Sequence, residues 1–263
     1  MNQGDGLALE GKNALVCGAS RGIGRACARE FARLGARVIL VARSDEALRE
    51  VRGGLGEGEH RVLSADFGDP QALGAAVERL AAEMGPIHVL LNNTGGPPSG
   101  AILEAKPAEF LAAFSNHLIC NQILCRALVP GMKQAGYGRI INIVSTSVKQ
   151  PIRGLGVSNT VRGAVASWAK TLSVEVAPFG ITVNNVLPGA TRTERLVEII
   201  RERARVGGRS EQEIESEMMR EIPAGRFGTA EEIAAAAAFL AGPRAGYITG
   251  VSLPVDGGRT SAL

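Results

Sequence analysis

Residues 12–24 read Lys-Asn-Ala-Leu-Val-Cys-Gly-Ala-Ser-Arg-Gly-Ile-Gly, and no other stretch constrains the fold as tightly. A short apolar run ends at Cys17, a glycine-rich turn follows, and residues 26–34 repeat apolar side chains at helical spacing. Strand, glycine turn and helix in that order make a phosphate cradle. Gly18, Gly22 and Gly24 let the backbone approach an anion, and the helix N-terminus offers unpaired N–H groups and partial positive charge. The spacing is G-x-x-x-G-x-G, so the common G-x-G-x-x-G fingerprint does not apply as written. An ordinary tight turn is the plain alternative. The strand and helix that flank the glycines favour a nucleotide site.

The same rhythm continues along the chain. Strand-like apolar runs fall at 14–17, 37–41, 61–64, 88–91, 139–144, 182–186 and 251–255. Helical patterns lie between them, among them 70–84, 107–134, 158–177 and 230–240. Short strands separated by helices imply parallel βαβ units with right-handed crossovers. Continuous apolar runs such as Val38-Ile39-Leu40-Val41 fit a sheet covered on both faces. The expectation is an α/β fold: one doubly wound, Rossmann-like domain whose ligands sit outside the C-terminal strand ends. One segment breaks the rhythm. Residues 193–222 are charged and contain Gly207-Gly208, which leaves two readings, a solvated helix pair or a lid over the substrate.

Composition narrows the partners. The chain of 263 residues carries a net charge of +3, with basic residues scattered, so nucleic acid is not indicated. No segment reaches the roughly 18 uncharged apolar residues of a membrane span. Residues 1–10 are polar and acidic, unlike a signal peptide. Cys17, Cys27, Cys120 and Cys125 lie in apolar elements without metal-ligand spacing, so we read them as reduced core thiols of a cytoplasmic protein and expect no metal.

Further pieces carry a resemblance. They are Asp66 after the third strand, Asn92-Asn93-Thr94-Gly95 after the fourth, and the run from Gly138 to Ser145. Ala177-Pro178-Phe179-Gly180, Pro188-Gly189 with Thr193, Gly225-Arg226-Phe227-Gly228, Tyr247-Ile248-Thr249-Gly250 and Val255-Asp256-Gly257-Gly258 follow in order. Over about residues 9–258 the chain resembles the short-chain dehydrogenase/reductases, particularly their 3-oxoacyl-acyl-carrier-protein reductase-like branch. The resemblance implies a single-domain sheet of about seven strands and a nicotinamide cofactor. It also implies a homotetramer or homodimer assembled through the helices of 107–134 and 158–177. Carried onto this chain, the cofactor would touch Gly18, Ser20, Arg21, Gly22, Ile23, Gly24, Arg43, Asp66, Phe67, Asn92, Thr94, Gly95, Arg162, Pro188, Gly189, Thr191 and Thr193. Asp66 would bond the adenine amino group.

The tip of the second strand bears on which nicotinamide cofactor is bound. An acid there would accept bonds from the ribose hydroxyls and repel a 2′-phosphate. This chain has Ala42-Arg43-Ser44 instead. Arg43 can fork onto a phosphate, and Arg21 in the glycine turn is a second cation for it. We therefore expect NADP(H).

The family's working set is an Asn, a Ser and a Tyr-x-x-x-Lys pair. Ser145 matches the Ser. Ser158 falls at the Tyr position, Arg162 at the Lys position, and His117, beside Asn116, at the Asn position. Ser158 and Arg162 are four apart and share a helix face. An aliphatic hydroxyl is a far weaker acid than a phenol, and Arg cannot relay a proton as Lys does. His117 is the natural substitute proton donor, with Lys149 a second candidate; each has a plain reading, as a core histidine and a solvated loop charge. Two functions follow. One is an NADP(H)-dependent oxidoreductase on a carbonyl/alcohol pair, 3-oxoacyl-thioester-like among the options, taking a small carbonyl substrate. The other is an NADP(H)-binding pseudoenzyme, sensor or partner subunit.

Overall fold

The computed structural model describes residues 9–262. Most of the N-terminal segment read as unlike a signal peptide lies outside them. Seven strands form one parallel sheet in the order β3-β2-β1-β4-β5-β6-β7. They are β1 (Asn13–Cys17), β2 (Arg37–Ala42), β3 (Arg61–Ser64), β4 (Val89–Asn92), β5 (Gly138–Ile143), β6 (Ile181–Pro188) and β7 (Ser252–Val255). The order reverses beside β1, so the crevice of a doubly wound sheet opens at the C-terminal ends of β1 and β4.

Helices cover both faces. Against one face α1 (Gly22–Arg33) and α9 (Ala230–Ala241) bury Phe31, Ile233 and Leu240 on Val16, Val38 and Leu91. Against the other, α3 (Pro70–Met84), α5 (Cys120–Ala135) and α6 (Gly156–Val176) bury Leu73, Leu124, Leu128 and Ala169 on Leu15, Ile39 and Leu90. That two-sided burial is what the unbroken apolar runs of β1 and β2 require. All four cysteines are free and buried, and burial pushes the Cys120 thiol up to about 12.

Two elements differ from the sequence reading. Helix α2 (Asp45–Gly53) was not anticipated, because only Leu48 and Val51 of it are buried. Its start is local chemistry: the Ser44 hydroxyl accepts from the Ala47 N–H at 3.3 Å, with Asp45 and Glu46 in the first turn. The helix expected over 107–134 is broken into α4 (Pro107–Phe114), a π turn (Ser115–Ile119) and α5. Residues 193–222 form a helix pair, α7 (Glu194–Gly207) and α8 (Glu211–Arg220). The pair is not wholly solvated: Leu196, Ile200 and Ile214 pack with Ile222 and Phe227 into a small core of their own. Among the described residues, no helix is long and apolar enough to cross a membrane.

Candidate active site

The turn from β1 to α1 is built around close approaches. Gly18 has φ +61°, and a Cβ there would stand 2.6 Å from Nδ2 of Asn93. A Cβ on Gly24 would stand 2.1 Å from the Gly18 carbonyl oxygen. Gly24 therefore supports the turn from behind and is not part of its open wall. Arg21 enters α1 in an extended conformation and supplies no side-chain cap. The N–H groups ahead of Arg25 are thus left for an anion.

From this turn a cleft of about 930 Å³ runs along the C-terminal strand ends. Gly18, Ser20, Arg21, Gly22 and Ile23 form one end, with Arg43 after β2 and Asp66 and Phe67 after β3. Thr94 and Gly95 after β4, Ser145 after β5, Pro188 at the end of β6, and Gly189, Thr191 and Thr193 after it continue the wall. Ser158 and Arg162 look in from the first turns of α6. Asp66 accepts from the Gly68 N–H at 2.9 Å, which fixes its loop. The Ser145 oxygen accepts from the Ser147 N–H at 3.1 Å, which aims its hydroxyl.

Two further expected contacts sit elsewhere. Asn92 is buried in the sheet, where its Nδ2 donates to Oδ1 of Asn142 at 2.8 Å. Asn142 donates in turn to Asn185 at 2.9 Å, and Asn185 to the Ser252 hydroxyl at 3.1 Å. These are register partners on β4, β5, β6 and β7, so Asn92 belongs to an amide row beneath the cleft. Its neighbour Asn93 faces the cleft instead.

His117 is the other. It is buried in the π turn, with Nδ1 2.6 Å from Oγ1 of Thr94, and Asn116 takes the cleft-facing place beside it. Burial first, then the nearby charge of Arg162, pulls its imidazole down to about 3. At neutral pH it is uncharged and shielded by Thr94, so it is not the proton donor that its position in the sequence suggested. Lys149 is exposed and does not line the cleft.

Arg162 donates from Nη1 to the Ile143 carbonyl at 2.8 Å, while its Nε is buried without an acceptor. Burial, then the charge of Arg195, pulls its guanidinium down to about 10, so it remains cationic at neutral pH. Neither tyrosine of the chain lines the cleft. Tyr137 donates to the Ala241 carbonyl at 2.6 Å near the start of β5, and Tyr247 is fully exposed.

The sequence reading missed Arg195, Glu194 and Glu198 on α7. Arg21 lies 3.7 Å from Glu194 and 3.9 Å from Glu198, and Arg195 donates to the Pro97 carbonyl at 2.9 Å. These bonds tie α7 to both rims of the cleft. Their signal was lost in a segment where nearly every other residue is charged.

A doubly wound parallel sheet with a glycine cradle at its first turn defines a Rossmann-like α/β protein. Within that class, the chain belongs to the short-chain dehydrogenase/reductase family. Residues 18–260 match the family model described as enoyl-(acyl carrier protein) reductase. The chain is 35% identical over 251 residues to the 3-oxoacyl-[acyl-carrier-protein] reductase FabG of Haemophilus influenzae, a match covering 95% of this chain and 98% of that one. L-sorbose reductase from Gluconobacter frateurii, solved with NADPH and L-sorbose, is 32% identical with a TM-score of 0.91, covering 98% of this chain and all (100%) of that one. The 3-ketoacyl-(acyl-carrier-protein) reductase of Brucella melitensis, solved with NADH, is 32% identical with a TM-score of 0.84, covering 96% and 100%.

Proposed function

We propose that this chain is an NADP(H)-dependent oxidoreductase that interconverts a carbonyl and an alcohol in the cleft between Ser145, Ser158 and Arg162. The observation that carries this reading is continuity: the glycine cradle, Arg43, Ser145 and Arg162 all line one cleft. The cradle suits a pyrophosphate, because the close packing of Gly18 and Gly24 excludes side chains and the first turn of α1 is uncapped. Asp66, Phe67, Thr94, Gly95, Pro188, Gly189, Thr191 and Thr193 would hold the rest of the dinucleotide. Arg43 is exposed at the tip of β2, and Asp45, the acid nearest to it in sequence, is engaged by Arg49. A 2′-phosphate therefore meets a cation there and not a carboxylate. Gly24, Asn92 and His117 support this wall from behind.

The nicotinamide, when bound, supplies or accepts the hydride. The protein does the rest by position and charge. Ser145 has its oxygen engaged by the Ser147 N–H, which leaves its hydroxyl hydrogen for the substrate carbonyl. Arg162, held by the Ile143 carbonyl, favours negative charge at this end of the cleft. Ser158 adds a donor but not an acid of useful strength near neutrality. Water entering from the cleft delivers the proton. This division of labour gives turnover slower than a phenol would allow.

Helices α7 and α8 act as a lid, latched by Arg21 to Glu194 and Glu198 and by Arg195 to Pro97. Leu111 on α4 and Val174 on α6 are exposed apolar residues that suit a homodimer or homotetramer contact. Reduced, buried thiols suit the cytoplasm. The test is twofold. NADPH and NADH are titrated separately, and NADPH oxidation is followed over β-ketoacyl thioesters, diketones and quinones. Tighter NADPH binding, with turnover lost in Ser145→Ala, is the expected result. NADPH binding without turnover on any carbonyl would favour a sensor or partner subunit.

A further inference from the structure

Two arginines converge at the carbonyl end of the cleft, and one of them, Arg162, has no carboxylate partner among the described residues. A Cβ built on Gly96 would lie 4.0 Å from Nη2 of Arg162 and 4.0 Å from Nε of Arg195. The two guanidinium groups thus look onto the same small volume beside the loop that follows β4. Each is anchored by a backbone carbonyl, Arg162 by Ile143 at 2.8 Å and Arg195 by Pro97 at 2.9 Å, so neither is free to swing away. Among the described residues, Arg162 has no carboxylate partner, and the charge that most perturbs it is Arg195 itself. Arg195 shares Glu198, at 3.3 Å, with Arg21. Facing cations in a half-buried site repel unless an anion sits between them.

We propose that the space beside Gly96, between Arg162 and Arg195, is a subsite for a carboxylate of the substrate, which makes the substrate an oxo acid. This rests on the reading of the cleft as a carbonyl-reducing site. The anion belongs to the substrate and not to the cofactor because of where the groups sit. The phosphate cradle is at β1 and the 2′-phosphate cation at β2, whereas Gly96, Arg162 and Arg195 cluster after β4, β5 and β6 with Ser145 and Ser158. Planar guanidinium forks bind a carboxylate by paired, charge-assisted bonds. Gly96 leaves the space open, and its backbone is not left-handed, so other residues fit there.

That last point allows the occupant to be built in. Gly96→Asp sets a carboxylate between the two arginines, and Gly96→Asn sets the same shape without charge. We expect the Asp variant, without any cofactor, to melt about 2 °C or more above the Asn variant. On the NADPH-saturated protein, calorimetric titration should show benzoate and hexanoate binding at least about tenfold more tightly than benzamide and hexanamide. Arg195→Gln should abolish that preference, and Gly96→Asp should abolish carboxylate binding. Equal affinities for acids and amides, no binding of either, or equal melting of the two Gly96 variants would overturn the subsite. Failure of NADPH to bind would instead overturn the cofactor reading, while the Gly96 pair still reports on the arginines.

Discussion

Oγ1 of Thr94 and Nδ1 of His117 lie 2.6 Å apart, and only Thr94 reaches the cleft. The histidine fixes the threonine hydroxyl from behind. Its imidazole is held near 3 by burial, well below the unfolded value of about 6.5. Between these values the unfolded chain binds a proton that the folded chain does not. The stability this group contributes is whole above pH 6.5 and is lost as pH falls toward 3. The unfolding free energy measured with urea should fall by up to about 1.4 kcal/mol per pH unit from this group as the pH drops from 6.5 toward 4. His117→Asn should flatten that slope. An unchanged slope would contradict the burial of a neutral imidazole.

Ser158 and Arg162 lie one turn apart on α6 and line the cleft, where we propose that they stand in place of a Tyr-x-x-x-Lys pair. Restoring both, as Ser158→Tyr with Arg162→Lys, should raise kcat about 100-fold and add a limb to the pH–rate profile. A variant that folds, binds NADPH and gains nothing would mean the substrate side is no longer arranged around a phenol.

Arg43 is the cation at the tip of β2. Arg43→Glu should weaken NADPH binding at least about tenfold and leave NADH binding unchanged or tighter, since an acid there accepts from the ribose hydroxyls. Fluorescence titration of both cofactors checks this. Parallel losses for the two would show that Arg43 does not read the 2′-phosphate.

Gly24 stands against the Gly18 carbonyl, where a Cβ would come to 2.1 Å. Gly24→Ala should cost about 1–3 kcal/mol of stability and abolish cofactor binding, because it pushes the cradle open. Thermal melting with and without NADPH separates the two effects. Wild-type affinity in this variant would contradict the packing.

Much of this arrangement was legible beforehand because it follows from spacing. The apolar runs of β1 and β3 end at Cys17 and Ser64, where turn chemistry begins, and the parallel, doubly wound character of the sheet follows from alternation with helices. Side-chain facing was harder to read. Helical periodicity over 107–134 gives no sign of the π turn at Ser115–Ile119, since no Pro or Gly falls within that turn or the turns beside it. An extra residue in one turn shifts which neighbour faces the cleft, and so Asn116 replaces His117 there. Asn92 was misplaced for a similar reason: alternation along β4 sends it into the sheet and leaves Asn93 outside. Helix α2 escaped because its start is written in Ser44, Asp45 and Glu46, not in apolar period. Arg195 was hidden by the charge density around it.

Hydride transfer in the cleft lined by Ser145, Ser158 and Arg162 is the central proposal. Its most direct test is mass spectrometry of the alcohol formed from a panel of carbonyl compounds, oxo acids included, with NADPH deuterated at C4. We predict one deuterium on the former carbonyl carbon from one of the two C4 stereoisomers only, and none with Ser145→Ala. Saturable NADPH binding with no label in any product would contradict it.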